Sequence, residues 1–231
     1  MDNSFSRESI LIGKTEFKRL QSSHVMVIGL GGVGSWAAEA IGRMGVGHIS
    51  LVDGDKVESS NINRQLGALN STVGLDKTAV WAARLKDINP TVIIDQYAYR
   101  FNAASEERLL RDAPDAVVDA IDALTDKALL IRSCQARGIW SIHSMGAANR
   151  LDPSQIRRAK LSETSVCPLA RRLRRELSDD ALKANVETVF STEPPRDIRI
   201  EGSTALGTVS YVPSVFGLFL AAGVINHLIG A

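Results

Sequence analysis

Gly29, Gly31 and Gly34 stand in the pattern G-x-G-x-x-G, with Gly32 inside it, after an apolar run at 25–28 and before an alanine-rich helical pattern. Glycines at this spacing let backbone approach a phosphate closely, and the following helix aims its unpaired N–H groups at the anion. Such a turn serves a dinucleotide or ATP equally well. Asp53 closes the next apolar run, 48–52, nineteen positions beyond Gly34. A carboxylate there can accept the hydrogen bonds of a ribose diol, which again fits both nucleotides.

The residues that follow separate the two. Asp55, Asn61, Asn63, Arg64 and Gln65 share one polar loop past that strand end, and Lys77 opens the next helical segment. Two permanent cations beside a phosphate turn suit a triphosphate better than a pyrophosphate already neutralised by backbone. Arg64 can fork across two phosphate oxygens, whereas Lys77 acts as a point charge. Asp122 follows a further strand, at the carboxyl edge where ligands of parallel sheets collect. It can hold magnesium against the phosphates, cap the next helix, or do both. Arg64, Lys77 and Asp122 are thus the candidate catalytic residues, with ATP and Mg2+ as cofactors. An NAD-dependent oxidoreductase would need a catalytic His or Tyr–Lys pair and leaves Lys77 unexplained.

The elements that must hold these residues alternate. Strands are expected at 25–28, 48–52, 92–97, 116–119 and 140–144, with helical stretches at 32–44, 77–88, 105–111 and 126–137. This rhythm predicts an α/β, Rossmann-like, doubly wound and mainly parallel sheet. A single domain over 1–231 is expected: an N-terminal helical segment (1–23), a nucleotide-binding half (24–146), and a substrate-side half ending in a helix (147–231). In segment 1–23, Phe5, Ile10, Leu11, Phe17 and Leu20 suggest a short helix lying on the body. The second half is irregular α+β and continues the same sheet. It holds a turn and short strand in "ANRLDPSQIRRAKLSE" and a helix at 168–177 with Leu169, Leu173 and Leu177 on one face. Next come a strand into a Pro-Pro loop, "ETVFSTEPPRD", and a small-residue loop over 198–213.

With 45% hydrophobic residues, 23% charged and a formal net charge of +1, the chain is neither a nucleic-acid coat nor a polybasic membrane binder. Two cysteines, Cys134 and Cys167, make neither a disulfide framework nor a four-cysteine zinc site, so no zinc is expected and a reducing cytoplasm is the simplest location. Residues 1–23 lack the apolar core of a secretory signal. Residues 212–231 are apolar enough to span a bilayer, but Pro213, Asn226, His227 and the absence of flanking Lys or Arg argue for a buried terminal helix. Arg171, Arg174 and Arg175 fall on one helical face beside Arg172, with Arg157, Arg158 and Lys160 upstream. They are either a solvated amphipathic face or a patch that tracks nucleic-acid phosphates.

Assembled, the glycine turn, Asp53, "NINRQ", Lys77 and Asp122 resemble the ubiquitin-activating-enzyme-like superfamily of adenylating enzymes. "FSRESILIG" is similar to that family's N-terminal arginine segment, although Ser4 replaces the usual earlier arginine. The resemblance implies a homodimer in which Arg7 crosses to the neighbour's triphosphate. "GGVGSWAAEA", "NRLDPSQI", "TSVCPLARRLRREL" and "VFSTEPP" narrow the resemblance to the bacterial tRNA threonylcarbamoyladenosine dehydratases. That branch implies adenylation of the threonyl carboxylate beside the anticodon, then ring closure with loss of water. It also implies a sulfur-relay or cysteine-desulfurase-associated partner and a structural monovalent cation. Some relatives carry a cysteine where Thr188 stands, which leaves Cys167 as the candidate thiol and Cys134 as core packing. The alternative is an adenylyltransferase for a ubiquitin-like sulfur carrier. Many such enzymes carry paired CxxC zinc motifs, and this chain has none.

Overall fold

A computed structural model describes residues 3–198 and 206–231. Its strands are β1 (His24–Ile28), β2 (His48–Val52), β3 (Ile93–Tyr97), β4 (Ala116–Asp119), β5 (Trp140–Ser144), β6 (Ile156–Lys160) and β7 (Glu187–Ser191). They form one sheet in the order β3-β2-β1-β4-β5-β7-β6. All neighbours are parallel except β6, which runs antiparallel along β7 at the edge. The chain builds outward from β1 to β3, then returns to place β4 on the other side of β1. The carboxyl ends of β1 and β4 therefore flank the crevice where strand order reverses, the ligand position of such sheets.

Alternation along the strands assigns the two faces. Val25, Val27, Ile49 and Leu51 are wholly buried with residues of α3 (Gly34–Arg43), α4 (Lys77–Ile88) and α9 (Tyr211–Ile229). Met26, Ile28, Val52 and Val117 face the other way, toward α5 (Glu106–Leu110) and α6 (Leu124–Ala136). A third cluster joins α6 to the second half, where α7 (Pro168–Leu177) buries Ala170, Leu173 and Leu177. Leu169 is only partly buried, because the helix turns Ala170 inward in its place. A short helix α8 (Asp180–Asn185) leads into β7. Of the loop expected over 198–213, residues 199–205 lie outside the described residues and 211–213 already belong to α9.

The N-terminal segment differs from the single short helix expected. It is two helices, α1 (Ser6–Ile12) and α2 (Lys14–Ser22), broken at Gly13, whose φ of +92° suits only glycine. Leu20 is fully buried, and Phe5 packs on Phe17 over Gly45. Ile10 and Leu11, by contrast, are 82% and 86% exposed. Helix α2 lies on the body with its apolar side; α1 packs Ile12 against the core but presents Ile10 and Leu11 to solvent.

Helix α9 is long and apolar enough to cross a membrane, but 61% of its apolar window is buried inside the fold. It lies across α3, and the contact turns on Gly217. A Cβ there would fall 2.4 Å from the Val33 carbonyl oxygen and 2.8 Å from Trp36 Cβ. Backbone cannot yield as a side chain can, so Gly217→Val should cost at least the usual ~1–3 kcal/mol of overpacking. Urea titration should show a lower midpoint with an unchanged slope.

Candidate active site

The nucleotide turn is shaped by two close backbone approaches. Gly29, at the end of β1, has φ +89°, and a Cβ there would lie 2.8 Å from the Ala120 carbonyl oxygen just past β4. A Cβ on Gly34 would lie 1.7 Å from the Gly29 carbonyl oxygen. The turn thus folds onto itself and onto the β4 exit. Gly31 meets nothing nearer than Gln65 Nε2 at 3.9 Å, leaving its backbone open to a ligand, and Gly32 is flanked by Arg64 and Pro213.

Asp53 ties this turn to β2. Its Oδ2 accepts the Leu30 N–H at 2.6 Å and its Oδ1 the Asp55 N–H at 2.8 Å. Each oxygen keeps a second lone pair for a further donor. Lys77, in the first turn of α4, places Nζ 3.1 Å from Asp55 Oδ2 and 3.8 Å from Asp53 Oδ1, with its side chain only 7% exposed. Arg100, in the loop after β3, completes the set with Nη2 2.8 Å from Asp55 Oδ1. Burial pushes the Asp55 carboxyl up, but Arg100 and Lys77 outweigh it and hold it below its ordinary value. Sequence reasoning missed Arg100. It follows Tyr97, the last residue of β3, by three positions, and only a fixed strand end would mark it as an edge residue.

The polar loop divides into supports and free groups. Asn61 is buried, and its Oδ1 accepts the Glu58 N–H at 3.2 Å, so this side chain holds the loop. Asn63 Nδ2 donates to the Thr208 carbonyl. Arg64 is half-exposed; its Nη1 donates to the Ser60 carbonyl and Asn63 Oδ1, each at 2.9 Å, while its own carbonyl accepts from Trp36 Nε1. Gln65 is buried beside Gly31. Asp122 is exposed and makes no hydrogen bond or ion pair among the described residues. The cap of α6 is Ala123, so the helix-capping option for Asp122 is not realised. A solvated carboxylate at this edge suits a hard cation that keeps most of its waters.

Arg7 does not join these residues. It is exposed on α1, two residues from Phe5, and Phe5 packs over Gly45 at the amino end of β2. A five-residue strand separates that edge from the glycine turn, about 17 Å at the usual rise.

On the substrate side the two most distinctive motifs hold each other. Asp152 Oδ1 accepts the Ser154 N–H at 2.9 Å, and the Glu193 carboxylate accepts the N–H groups of Leu151 and Asp152. Thr192 N–H donates to the Gln155 carbonyl. Arg150, 3% exposed, gathers the Gly146, Ala148 and Glu193 carbonyls. The expected basic patch is split. Arg157 and Arg158 are adjacent on β6 and face opposite ways, Arg158 lying along α9 at Gly223. Arg174 turns inward, its Nη1 donating to the Thr164 carbonyl at 2.9 Å, so Arg171, Arg172 and Arg175 are the exposed arginines of α7. Cys167 is 2% exposed and packed in the α7 core, without the access a reacting thiol needs. Cys134 is a core side chain whose thiol burial pushes up to about 12. Thr188 is fully buried, donating to the Ala159 carbonyl.

A sequence profile of the ThiF family matches residues 5–231. The chain belongs to the ThiF family. Its relatives include the tRNA threonylcarbamoyladenosine dehydratase of Bacillus subtilis, 38% identical over 99% of this chain and 96% of the relative. The enzyme of that name from Haemophilus influenzae is 35% identical over 91% and 87%. Among solved structures, E. coli tRNA N6-threonylcarbamoyladenosine dehydratase in complex with ATP matches with a TM-score of 0.93 at 32% identity, covering 99% of this chain and 94% of that one.

Beneath this ThiF-type turn lies a buried charge cluster that the sequence reading missed. Asp119 ends β4 with no exposure. Its Oδ2 lies 2.7 Å from Lys127 Nζ of α6 and 2.7 Å from His143 Nδ1 of β5, and its Oδ1 accepts the Ile121 N–H at 2.9 Å. His143 Nε2 meets Ser141 Oγ at 2.9 Å. The segment that carries Asp122 therefore leaves β4 anchored to a buried carboxylate. Two aspartates three apart, with a lysine in the next helix, were the signal; register alone decides which carboxylate is inside. Burial pushes Asp119 up, but Lys127 and His143 outweigh it and hold it below its ordinary value. Burial likewise lowers His143, against the opposing pull of Asp119.

Both groups have lowered folded values, so the unfolded chain binds more protons in acid. Their contribution to stability should be full above pH 6.5, the ordinary histidine value, and fall as pH drops through the imidazole and then the carboxylate range. Lys127→Met leaves the buried carboxylate unpaired and should cost about 3–5 kcal/mol in urea titration, of which Asp119→Asn/Lys127→Met should recover most.

Proposed function

We propose that this chain uses ATP to activate the threonyl carboxylate of N6-threonylcarbamoyladenosine in tRNA, next to the anticodon, and dehydrates that nucleoside. The carboxylate attacks the α-phosphorus and pyrophosphate leaves. A ureido atom of the same nucleoside then attacks the acyl carbon, AMP leaves, and a ring closes with net loss of one water. The observation that carries this reading is the placement of Lys77, fixed by Asp53 and Asp55, beside an open glycine turn, with the unpaired Asp122 carboxylate at the neighbouring strand end. The kinship with enzymes named for this reaction supports it.

Each residue has a part in that reading. The Gly29–34 backbone and the N-terminus of α3 receive phosphate, and Asp53 takes the ribose through its remaining lone pairs. Arg64 and Lys77 neutralise the triphosphate, and Asp122 would hold Mg2+, which when bound would draw charge from the phosphates. Adenylation then rests on positioning and charge, and the intramolecular second step needs no protein nucleophile. The buried state of Cys167 fits a route without a thiol. Arg7 acts from the partner in a homodimer, which its place at the amino edge and the exposed Ile10 and Leu11 beside it support. Arg157, Arg171, Arg172 and Arg175 are the tRNA-facing arginines. The enzyme is cytoplasmic and works as one domain over 1–231.

Incubation with ATP, Mg2+ and tRNA bearing the modified adenosine, followed by digestion and mass spectrometry, should show the nucleoside lighter by one water. Pyrophosphate release that depends instead on a carrier protein would replace this reading with the sulfur-carrier adenylyltransferase. Lys77→Ala should lower turnover by on the order of 10²–10³-fold, as removal of one charge-stabilising donor does, while leaving tRNA binding intact. Mixing inactive Arg7→Ala with inactive Lys77→Ala should restore activity, since one site of the mixed dimer then has both groups. No restoration would place the action of Arg7 within its own subunit, and full activity of Arg7→Ala alone would place it outside catalysis.

A further inference from the structure

The amino edge of the sheet, opposite the nucleotide turn, carries a cluster unused by the proposed reaction. His24 and His48 open β1 and β2 as register partners, and Asp95 on β3 is the register partner of Ser50. By alternation all four side chains leave the same sheet face. The two imidazoles stack with centroids 3.7 Å apart. His48 Nε2 lies 2.6 Å from Asp95 Oδ2, His24 Nε2 lies 2.8 Å from Ser50 Oγ, and Ser50 Oγ donates to Asp95 Oδ2 at 3.1 Å. One nitrogen of each histidine and one oxygen of Asp95 lie within 4.8 Å of one another, and all three residues are half-buried.

We propose that His24, His48 and Asp95 form a binding site for one borderline divalent transition metal, such as Zn2+ or Co2+. Two imidazoles and a carboxylate match the ligand preferences of such ions, with water filling the open positions. Ligand bonds of about 2.0–2.2 Å require donors closer together than 4.8 Å. Binding therefore requires the two imidazoles to rotate out of their stack. The surroundings favour a cation. Asp115 Oδ2 accepts the His24 backbone N–H at 2.7 Å, and Asp112 adds a second carboxylate field at His24. Ser50 supplies the outer hydrogen bond that orients Asp95.

Such an ion would replace the protons now shared among His48, Asp95, His24 and Ser50, so affinity should rise with pH. It would clamp three adjacent strands about 17 Å from the phosphate turn, and its effect would therefore appear in stability and not in turnover. Untagged, metal-free protein titrated with Co2+ should develop a visible d–d absorption band that saturates at one equivalent and is displaced by Zn2+. Zn2+ should also raise the melting temperature. Both effects should vanish in His24→Gln/His48→Gln, whose amides can keep the bonds to Ser50 and Asp95. Asp95→Asn should weaken binding at least about tenfold, the lower range for loss of a supporting group. Asp122→Ala should bind as the parent does, which separates this site from the magnesium position. If the double variant melts too early to titrate, His48→Gln alone should lose the band. Absence of the band in the parent, or its persistence in the histidine variants, would overturn the proposal.

Discussion

The Ala120 carbonyl oxygen presses so close to the α-carbon of Gly29 that no side chain fits between them. Because β1 and β4 are parallel neighbours with their exits side by side, that one contact sets the distance between the phosphate turn and the segment leading to Asp122. The second approach, Gly34 over the Gly29 carbonyl, fixes where α3 begins and hence where its free N–H groups point. Asp119 acts on the same segment from below by holding the Ile121 N–H. Catalytic geometry here is therefore a property of backbone packing first and of side chains second.

The charges around the turn follow from that frame. Lys77 is only 7% exposed, and Asp53 and Asp55 supply its ion-pair partners from the end of β2. Asp53 is held in turn by two backbone N–H groups, so the lysine is positioned by a chain of contacts that ends in the glycine turn itself. Arg100 balances the remaining charge of Asp55. The site is a compact, nearly neutral network with its cation already aimed, the kind of preorganisation that spares reorganisation when a triphosphate arrives.

Much of this was legible in the sequence. The strands at 48–52, 116–119 and 140–144 and the helices at 77–88 and 168–177 match residue for residue, because each is bounded by an abrupt change of pattern. The residues gathered around the turn were legible too, since glycine spacing and strand ends are local signals. What depends on register was not. Asp119 and Asp122 look alike in sequence, yet one is wholly buried and the other solvated. Arg174 shares a helical face with Arg171 and Arg175, but carbonyls from the preceding turn draw it inward. Ile10 and Leu11 read as buried apolar residues, and only the break at Gly13 turns them outward. Nor do patterns one residue long reveal that His24 and His48 begin adjacent strands.

Helix α9 is synthesised long after α3, yet it contacts α2, α3, β4, β5, β6 and β7. Until residue 229 leaves the ribosome, the surface of α3 and of the central strands that α9 buries stays uncovered. At about 5–20 residues per second, the interval between the emergence of α3 and of α9 is roughly ten seconds or longer. The nascent chain thus carries an open hydrophobic face until α9 has been made. The burden on chaperones in that interval therefore falls on the β1–α3 half.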